Sequence, residues 1–339
     1  MNVLITGGAG FIGSNLAAHW LELGYKVRIL DNLSRSGTEK NLAWLETLEK
    51  QNLEVVQEDI RDAEAVSEAV RKMDVVVHLA AQVAVTTSVT EPRIDFEINT
   101  TGTLNVLEAL RQVNPEALLL YTSTNKVYGR MEEVSVVDTG SSYALSDFPE
   151  GIPETYPLDF HSPYGCSKGA ADAYVRDYAR IYDLRTVVFR MSCIYGTRQF
   201  GNEDQGWLAH FIISTVLGRP ITIYGDGKQV RDLLYVDDLI EAMKLAIERI
   251  EVAGGQVYNI GGGPGNTLSV WAELEKLLTQ KLGREIPVKY GDWRPGDQPV
   301  YVSDIGKAGR DLKWVPRVSV KEGVDRLWTW VMENKDLFG

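Results

Sequence analysis

The stretch GGAGFIG at residues 7–13 most constrains what this chain can fold into. It follows an apolar run at residues 3–6 that predicts a strand, and it precedes residues 14–23, whose apolar spacing predicts a helix. Glycines at positions 7, 10 and 13 let a backbone turn tightly and approach a pyrophosphate at a helix N-terminus. Strand, glycine turn and helix in this order predict a dinucleotide-binding unit, with a glycine-rich turn that binds nothing as the alternative.

Short apolar runs alternate with helical patterns through the first half of the chain. Strands are predicted at 3–6, 27–30, 53–57, 75–79, 117–121 and 186–189, and helices at 14–23, 63–71, 100–113 and 167–181. This alternation predicts an α/β fold, a Rossmann-like, doubly wound parallel sheet with a smaller C-terminal substrate-binding lobe. We assign 1–190 to the dinucleotide-binding domain, expect 230–260 to return to it, and assign 191–229 and 261–339 to the smaller lobe.

Asp31 closes the second predicted strand, where its carboxylate can accept hydrogen bonds from both hydroxyls of an adenosine ribose. It would also repel a 2′-phosphate, which favours NAD over NADP, although Arg35 nearby keeps NADP open. The residues predicted to bind the cofactor are Gly7, Gly10, Phe11, Ile12, Gly13, Asp31, Asn32, Ser34, Arg35, Asp59, Ile60, Ala80, Ala81, Gln82, Asn99, Tyr164 and Lys168.

Tyr164 and Lys168 lie four residues apart at the start of a predicted helix, and therefore on one helix face. A nearby ammonium and the positive nicotinamide of an oxidised cofactor both favour the phenolate form of a tyrosine. Such a phenolate can take a proton from a sugar hydroxyl while the neighbouring carbon gives hydride to NAD. The pair alone is common by chance, but after a dinucleotide turn it indicates a catalytic site.

Four motifs now stand together: Gly7-x-x-Gly10-x-x-Gly13, Asp31, Thr124 before Tyr128-Gly129, and Tyr164-x-x-x-Lys168. Over residues 1–304 at least, the chain resembles the extended short-chain dehydrogenases/reductases, a family of nucleotide-sugar epimerases and dehydratases. The resemblance implies that Thr124 hydrogen-bonds the reacting hydroxyl and that Tyr164 is the acid/base. It further implies that Lys168 holds the nicotinamide ribose and lowers the pKa of the tyrosine.

The residues after Thr124 divide this family. Sugar 4,6-dehydratases resemble the chain but carry Asp-Glu where it has Asn125 and Lys126, and those carboxylates move the protons of water elimination. An amide cannot transfer protons, so epimerisation through a ketosugar or net dehydrogenation is favoured. Asn125 is expected to bind the sugar or to cap its own turn. Lys126 is expected to contact a hydroxyl or phosphate, or to be solvated.

Longer stretches, at 82–109, 123–129, 157–182 and 198–207, resemble the CDP-sugar 2-epimerases within the family. This resemblance implies inversion at C2 of a CDP-linked hexose, through a 2-ketosugar and return of the same hydride to its other face. It also implies tightly bound NAD and a homodimer formed through helices 100–113 and 167–181. A UDP-hexose 4-epimerase and a net dehydrogenase remain alternatives. A scaffold protein on this fold need not keep the Tyr-Lys pair.

The second lobe supplies candidates for substrate binding. Arg231 and Arg294 suit a nucleotide diphosphate because arginine presents a planar fork of donors, whereas Arg219 is also consistent with a helix end. Related epimerases use similar segments in this way. The remaining predicted substrate residues are Thr124, Asn125, Gln205, Trp207 and Asp297, with Gln298 beside the last of these. Trp207 is equally consistent with core packing.

Charge and cysteine content exclude other classes. A net charge of −12 argues against a nucleic-acid or membrane-surface protein, since both need positive potential over a broad face. Cys166 and Cys193 have no metal-ligand or CxxC spacing, so we expect no metal and a reduced, cytoplasmic chain. The chain opens directly into a predicted strand, and no apolar run approaches the ~20 residues that span a bilayer.

Overall fold

The predicted strands assemble into one central sheet in a computed structural model that describes residues 1–48, 51–294 and 297–338. In chain order the strands are β1 (Asn2–Thr6), β2 (Lys26–Leu30), β3 (Leu53–Val56), β4 (Val75–His78), β5 (Leu118–Thr124), β6 (Val136–Asp138), β7 (Tyr143–Leu145), β8 (Thr186–Met191), β9 (Cys193–Tyr195), β10 (Ile221–Tyr224), β11 (Val230–Tyr235), β12 (Gln256–Ile260), β13 (Thr267–Ser269), β14 (Val288–Gly291) and β15 (Val300–Tyr301). The central sheet has seven strands, all parallel, in the order β12-β8-β5-β4-β1-β2-β3.

Helices cover this sheet and connect its strands. In chain order they are α1 (Phe11–Glu22), α2 (Thr38–Leu48), α3 (Ala63–Ala69), α4 (Val85–Thr90), α5 (Pro92–Phe96), α6 (Gly102–Val113), α7 (Ser162–Tyr182), α8 (Trp207–Leu217), α9 (Val236–Glu248), α10 (Ile250–Ala253), α11 (Leu274–Leu282), α12 (Gly306–Leu312) and α13 (Val320–Glu333). A π-helical turn covers Glu97–Thr101, and 3-10 turns cover Asn125–Tyr128, Pro264–Asn266 and Lys335–Phe338. None of the helices in the described ranges is both long and apolar enough to cross a membrane.

Side chains of the central strands alternate between two buried layers. Leu118 and Leu120 of β5 pack in one apolar cluster with helices α1 and α9, whereas Leu119 and Tyr121 pack in another with α3, α6 and α7. Successive strand side chains point to opposite faces, so burial of both sets requires helices on both sides of the sheet. The predicted doubly wound, Rossmann-like fold is therefore confirmed.

Residues after β8 build smaller sheets beside the central one. Strand β11 pairs with β13, β15 and β9, and β10 pairs with β14, so residues 230–235 lie outside the central sheet. Strand β12 returns to the central sheet and pairs with β8 over Gln256–Ile260. The domain boundaries given above remain a prediction, and Pro295, Gly296 and Gly339 of the smaller lobe lie outside the described residues.

Candidate functional site

A cleft of roughly 440 Å³ opens at the carboxyl ends of the central strands, where the strand order reverses between β1 and β4. Its lining includes most of the residues predicted from the sequence: Gly7, Gly10, Phe11, Ile12, Gly13, Asp31, Asn32, Ser34, Arg35, Asp59, Ile60, Ala80, Ala81, Thr124, Asn125, Tyr164, Lys168, Gln205 and Trp207. Segments that are distant in sequence therefore meet in one site.

The glycine turn at the start of α1 has no room for side chains. Gly7 adopts a φ of +69°, and a Cβ on it would lie 2.7 Å from the backbone nitrogen of Ala80. A Cβ on Gly13 would lie 2.4 Å from the carbonyl oxygen of Gly7. Because Gly10 caps α1 without a side-chain hydrogen bond, the first N–H groups of the helix remain available to an anion. The turn fits the pyrophosphate of a dinucleotide.

The carboxylate of Asp31 is fixed beside this turn, directly after β2. Its oxygens accept hydrogen bonds from the backbone N–H groups of Ala9, at 3.0 Å, and Leu33, at 2.9 Å. Burial raises the pKa of Asp31, and these two hydrogen bonds act in the opposite direction. Its place on the cleft wall suits acceptance of ribose hydroxyls, and the negative charge disfavours a 2′-phosphate.

Arg35 and Gln205 both line the cleft, and the Arg35 guanidinium donates a hydrogen bond to the Gln205 side chain. The guanidinium charge also acts on Tyr164. This contact joins two lining residues that are 170 positions apart in the sequence. The sequence placed Arg35 at the adenosine ribose and Gln205 at the sugar, and it did not predict this contact.

The predicted catalytic residues converge on the cleft from β5 and α7. Thr124 ends β5, and Tyr164 and Lys168 lie one turn apart in the first part of α7, all three buried. The ammonium of Lys168 donates to the carbonyl oxygen of Thr122 at 2.7 Å and lies 4.4 Å from the ring centre of Tyr121. Burial lowers the pKa of Lys168 to about 7.

The pKa of Tyr164 shifts in the direction opposite to the one expected. Burial raises it to about 12, whereas a hydrogen bond with the Thr124 hydroxyl and the charge of Arg35 act to lower it. The sequence interpretation assigned the lowering to Lys168 and to an oxidised nicotinamide. Within the chain itself, the Lys168 ammonium is held at the Thr122 carbonyl and burial dominates, so the phenolate would need the charge of a bound cofactor.

Gln82 and Asn99, predicted to bind the cofactor, are engaged with other side chains and do not line the cleft. The Asn99 amide accepts from the Gln82 backbone N–H at 2.9 Å and donates to the Ser167 hydroxyl at 3.0 Å. Ser167 in turn donates to Asp95 at 2.5 Å, and the Gln82 amide donates to the same carboxylate at 2.8 Å. This network fixes α7 against the segment after β4, and it therefore helps to hold Tyr164 and Lys168 in position.

A second buried network joins α7 to the turn that follows Thr124. Arg190 donates two hydrogen bonds to Asp172, at 2.9 and 3.0 Å, and both side chains are almost fully buried. The same guanidinium donates to the Tyr128 hydroxyl at 3.2 Å, and that hydroxyl donates to the Asn259 amide oxygen at 2.7 Å. Asp172 lies one helical turn after Lys168, so Arg190 fixes the catalytic helix relative to the catalytic turn.

The predicted phosphate-binding residues lie beyond the cleft lining. Arg231 is buried and forms an ion pair with Asp297, with 2.6 Å between Nη2 and Oδ1. Arg294 donates to the Glu203 carbonyl at 3.0 Å and stacks 4.1 Å from the ring centre of Tyr224. Arg219 donates to the carbonyl of Phe338 near the C-terminus. The structure places Arg231 and Asp297 together, and their roles toward a nucleotide remain predictions.

Several lining residues were not predicted or were left undecided. Gly37 packs so closely on Phe200 that a Cβ would lie 2.4 Å from its ring, which brings the loop after β2 against the loop after β9. The sequence points to the 198–207 segment, which contains Phe200, only as a whole. Its individual residues follow no pattern that would assign them to the cleft. The lining residues in this group are Ser36, Gly37, Asn41, Ser123, Lys126, Met191, Ser192, Cys193, Arg198, Gln199 and Phe200.

Comparisons with known proteins agree with this geometry. Residues 4–327 match the family model of GDP-mannose 4,6 dehydratase. CDP-paratose 2-epimerase of Salmonella typhi is 47% identical over 337 residues, covering 97% of this chain and 99% of that protein. The structure of UDP-glucose 4-epimerase with UDP-glucose from Thermotoga maritima has a TM-score of 0.84 at 33% identity, covering 99% of this chain and 100% of that chain. UDP-glucuronic acid 4-epimerase from Bacillus cereus, in complex with UDP-glucuronic acid and NAD, has a TM-score of 0.85 at 28% identity, covering 98% and 99%.

Proposed function

We propose, since the chain belongs to the extended short-chain dehydrogenase/reductase family, that it is an isomerase: an NAD-dependent epimerase that inverts C2 of a CDP-linked hexose. The substrate pair is CDP-paratose and CDP-tyvelose, or CDP-glucose and CDP-mannose. The observation that carries the proposal is the grouping of Thr124, Tyr164 and Lys168 on one cleft, with Asn125 and Lys126 where water elimination needs two carboxylates. The relative that is 47% identical is itself a CDP-sugar 2-epimerase.

The cofactor proposed is NAD, and the residues present fit it. The glycine turn would hold the pyrophosphate, Asp31 the adenosine ribose, and Lys168 the nicotinamide ribose. When bound, NAD supplies a reversible hydride acceptor for the carbon that carries the reacting hydroxyl. A solved relative of the same fold binds NAD together with a nucleotide sugar, which supports the assignment.

The chain's own residues would handle the proton and the sugar. Tyr164 Oη takes the proton from the C2 hydroxyl and returns it after the ring has turned. The Thr124 hydroxyl is hydrogen-bonded to the Tyr164 hydroxyl, and in the proposed mechanism it also binds and orients the C2 oxygen of the sugar. No second acid/base is needed, which agrees with an amide at position 125. The cofactor ends each cycle in its starting state and is therefore retained.

The test uses the purified protein with CDP-glucose and, in parallel, CDP-paratose in D2O, followed by proton NMR. We expect conversion to the manno or tyvelo product without deuterium at C2, because the hydrogen that leaves C2 is the one that returns. Deuterium at C2 would mean that a base removes that hydrogen as a proton, and the mechanism would be wrong. Inversion of a UDP-hexose at C4, with no change in either CDP-sugar, would favour the 4-epimerase alternative. NAD that dissociates in each turnover would favour a net dehydrogenase.

A cytoplasmic homodimer completes the proposal. Large apolar side chains are exposed on α4 (Val89, 63%), α5 (Phe96, 53%) and α7 (Ile181, 64%), and α4 and α5 both pack against α7. Exposed apolar residues on adjacent helices are typical of protein–protein interfaces. The cytoplasmic location remains part of the proposal, and Cys166 and Cys193 are free thiols in the structure.

Light scattering at micromolar concentration should return twice the chain mass of 37.8 kDa. Polar substitution of Ile181 should shift that mass toward the monomer, because the exposed apolar surface would no longer favour association. A monomeric wild-type protein would contradict the dimer and leave the reaction untouched.

A further inference from the structure

Lys126 stands out on the cleft wall because its ammonium makes a single long hydrogen bond among the described residues. Three N–H groups are available on Nζ, yet among the described residues its hydrogen-bond acceptor is the Gln298 side-chain oxygen, at 3.5 Å, the limit of a hydrogen bond. No carboxylate in the described ranges lies within ion-pair distance of it. Burial lowers the pKa of Lys126 and the charge of Arg231 lowers it further, whereas the charge of Asp297 acts to raise it. A half-buried ammonium with unused donors, on the wall of a cleft, indicates a ligand that brings acceptor oxygens.

The turn that carries Lys126 links it to the reacting group. Its backbone N–H donates to the Thr124 hydroxyl oxygen at 3.2 Å, so one 3-10 turn fixes both residues. At the other end of the side chain, the charges of Arg231 and Asp297 both act on the ammonium. Lys126 therefore extends from the catalytic threonine toward the arginine predicted to bind the diphosphate.

The chemistry of a CDP-hexose makes this position informative. Its C2 is joined to the sugar-linked phosphate through C1 and a single bridging oxygen, whereas C4 lies on the far side of the ring. An enzyme that reacts at C2 must bring this phosphate close to its catalytic threonine and tyrosine. One that reacts at C4 keeps the phosphate a ring's width away. A cation carried by the same turn as Thr124 suits the first arrangement.

We propose that Lys126 binds the sugar-linked phosphate of the substrate and thereby places C2, rather than C4, at Thr124 and Tyr164. The inference rests on the proposed function and names the residue that determines its regiochemistry. The ring of the ketosugar must rotate between oxidation and reduction so that its other face meets the cofactor. It can rotate about the bonds between C1 and this phosphate. A phosphate held by Lys126 keeps the nucleotide in place while the ring turns.

The test measures binding of CDP and CMP to the NAD-loaded protein by calorimetry, because only CDP carries the phosphate that would be linked to the sugar. We expect Lys126→Gln to weaken CDP binding about 10- to 100-fold, the range of one charge-assisted hydrogen bond, and to change CMP binding less than about twofold. The same variant should lower kcat/KM for C2 inversion by at least as much as CDP affinity. Lys126→Arg should recover CDP binding, since a guanidinium also binds phosphate.

Lys228→Gln is the matched control, because it removes one positive charge from a surface ion pair with Asp138 and should alter none of these values. The inference would be overturned if Lys126→Gln weakened the binding of CDP and of CMP equally, or if it left both CDP binding and kcat/KM unchanged. In either case the proposed function would still stand, provided that the wild-type protein inverts C2. A wild-type protein that inverts no CDP-sugar in the NMR experiment would remove both. Thermal denaturation and NAD content confirm that each variant is folded.

Discussion

Replacing Tyr164 with phenylalanine is expected to lower kcat for C2 inversion by about 10³-fold, within the range that positioned acid/base groups contribute. The phenol is 8% exposed and interacts with the Thr124 hydroxyl, so its removal deletes the proton acceptor without opening the cleft. Affinity for the CDP-sugar should change by less than about threefold, because the nucleotide is bound elsewhere. Single-turnover NMR and calorimetry measure the two quantities.

Tyr174→Phe provides the control for this substitution. Tyr174 lies on the same helix, α7, but is 47% exposed, and its loss of a hydroxyl should leave kcat unchanged. If Tyr164→Phe retained more than about a tenth of the wild-type kcat, the proton would have to leave through another group. The assignment of Tyr164 as the acid/base would then be wrong.

Arg190→Leu should reduce the free energy of unfolding by about 3–5 kcal/mol, because it leaves the Asp172 carboxylate buried without its partner. Urea denaturation at pH 7 measures the loss. The Arg71→Leu control breaks an exposed pair with Glu68 and should cost less than about 1 kcal/mol.

The double variant Asp172→Leu/Arg190→Leu distinguishes the effect of an unpaired buried charge from the effect of lost packing. Removing both charges abolishes the uncompensated carboxylate, so the double variant should be more stable than Arg190→Leu alone. Equal stability of Arg190→Leu and Arg71→Leu would show that the buried pair contributes little. A double variant as unstable as the sum of its single variants would show that the two side chains do not act together.

The sequence predicted the central sheet better than the elements around it. Strands β1 and β4, on either side of the point where the strand order reverses, are short apolar runs buried on two faces. A few consecutive residues are enough to reveal such a run, so it can be predicted from the sequence. The hairpin β6–β7 was missed because Val136 and Val137 are exposed and give no signal of burial. Helix α7 begins five residues before the predicted start, where Pro163 in its first turn was the available signal.

The candidate site also contains parts that the sequence predicted and parts that it did not. The glycine turn, Asp31 and the Tyr164–Lys168 pair were predictable because each motif carries its geometry within a few residues. Contacts that no local motif encodes were not predictable: Gln82 binds Asp95 and Asn99, and Arg231 pairs with Asp297. The direction of the Tyr164 pKa shift also depended on burial, which no local spacing reveals.

The hydrogen bond between Arg35 and Gln205 has a kinetic consequence. It joins the loop after β2 to the loop before α8, at the lining of the cleft. Because the pair is exposed, water competes for it, and one such hydrogen bond contributes about 1 kcal/mol, so it would slow the exchange of a bound dinucleotide only about fivefold. Long retention of the cofactor would then depend on the glycine turn, Asp31 and Lys168, and not on this contact.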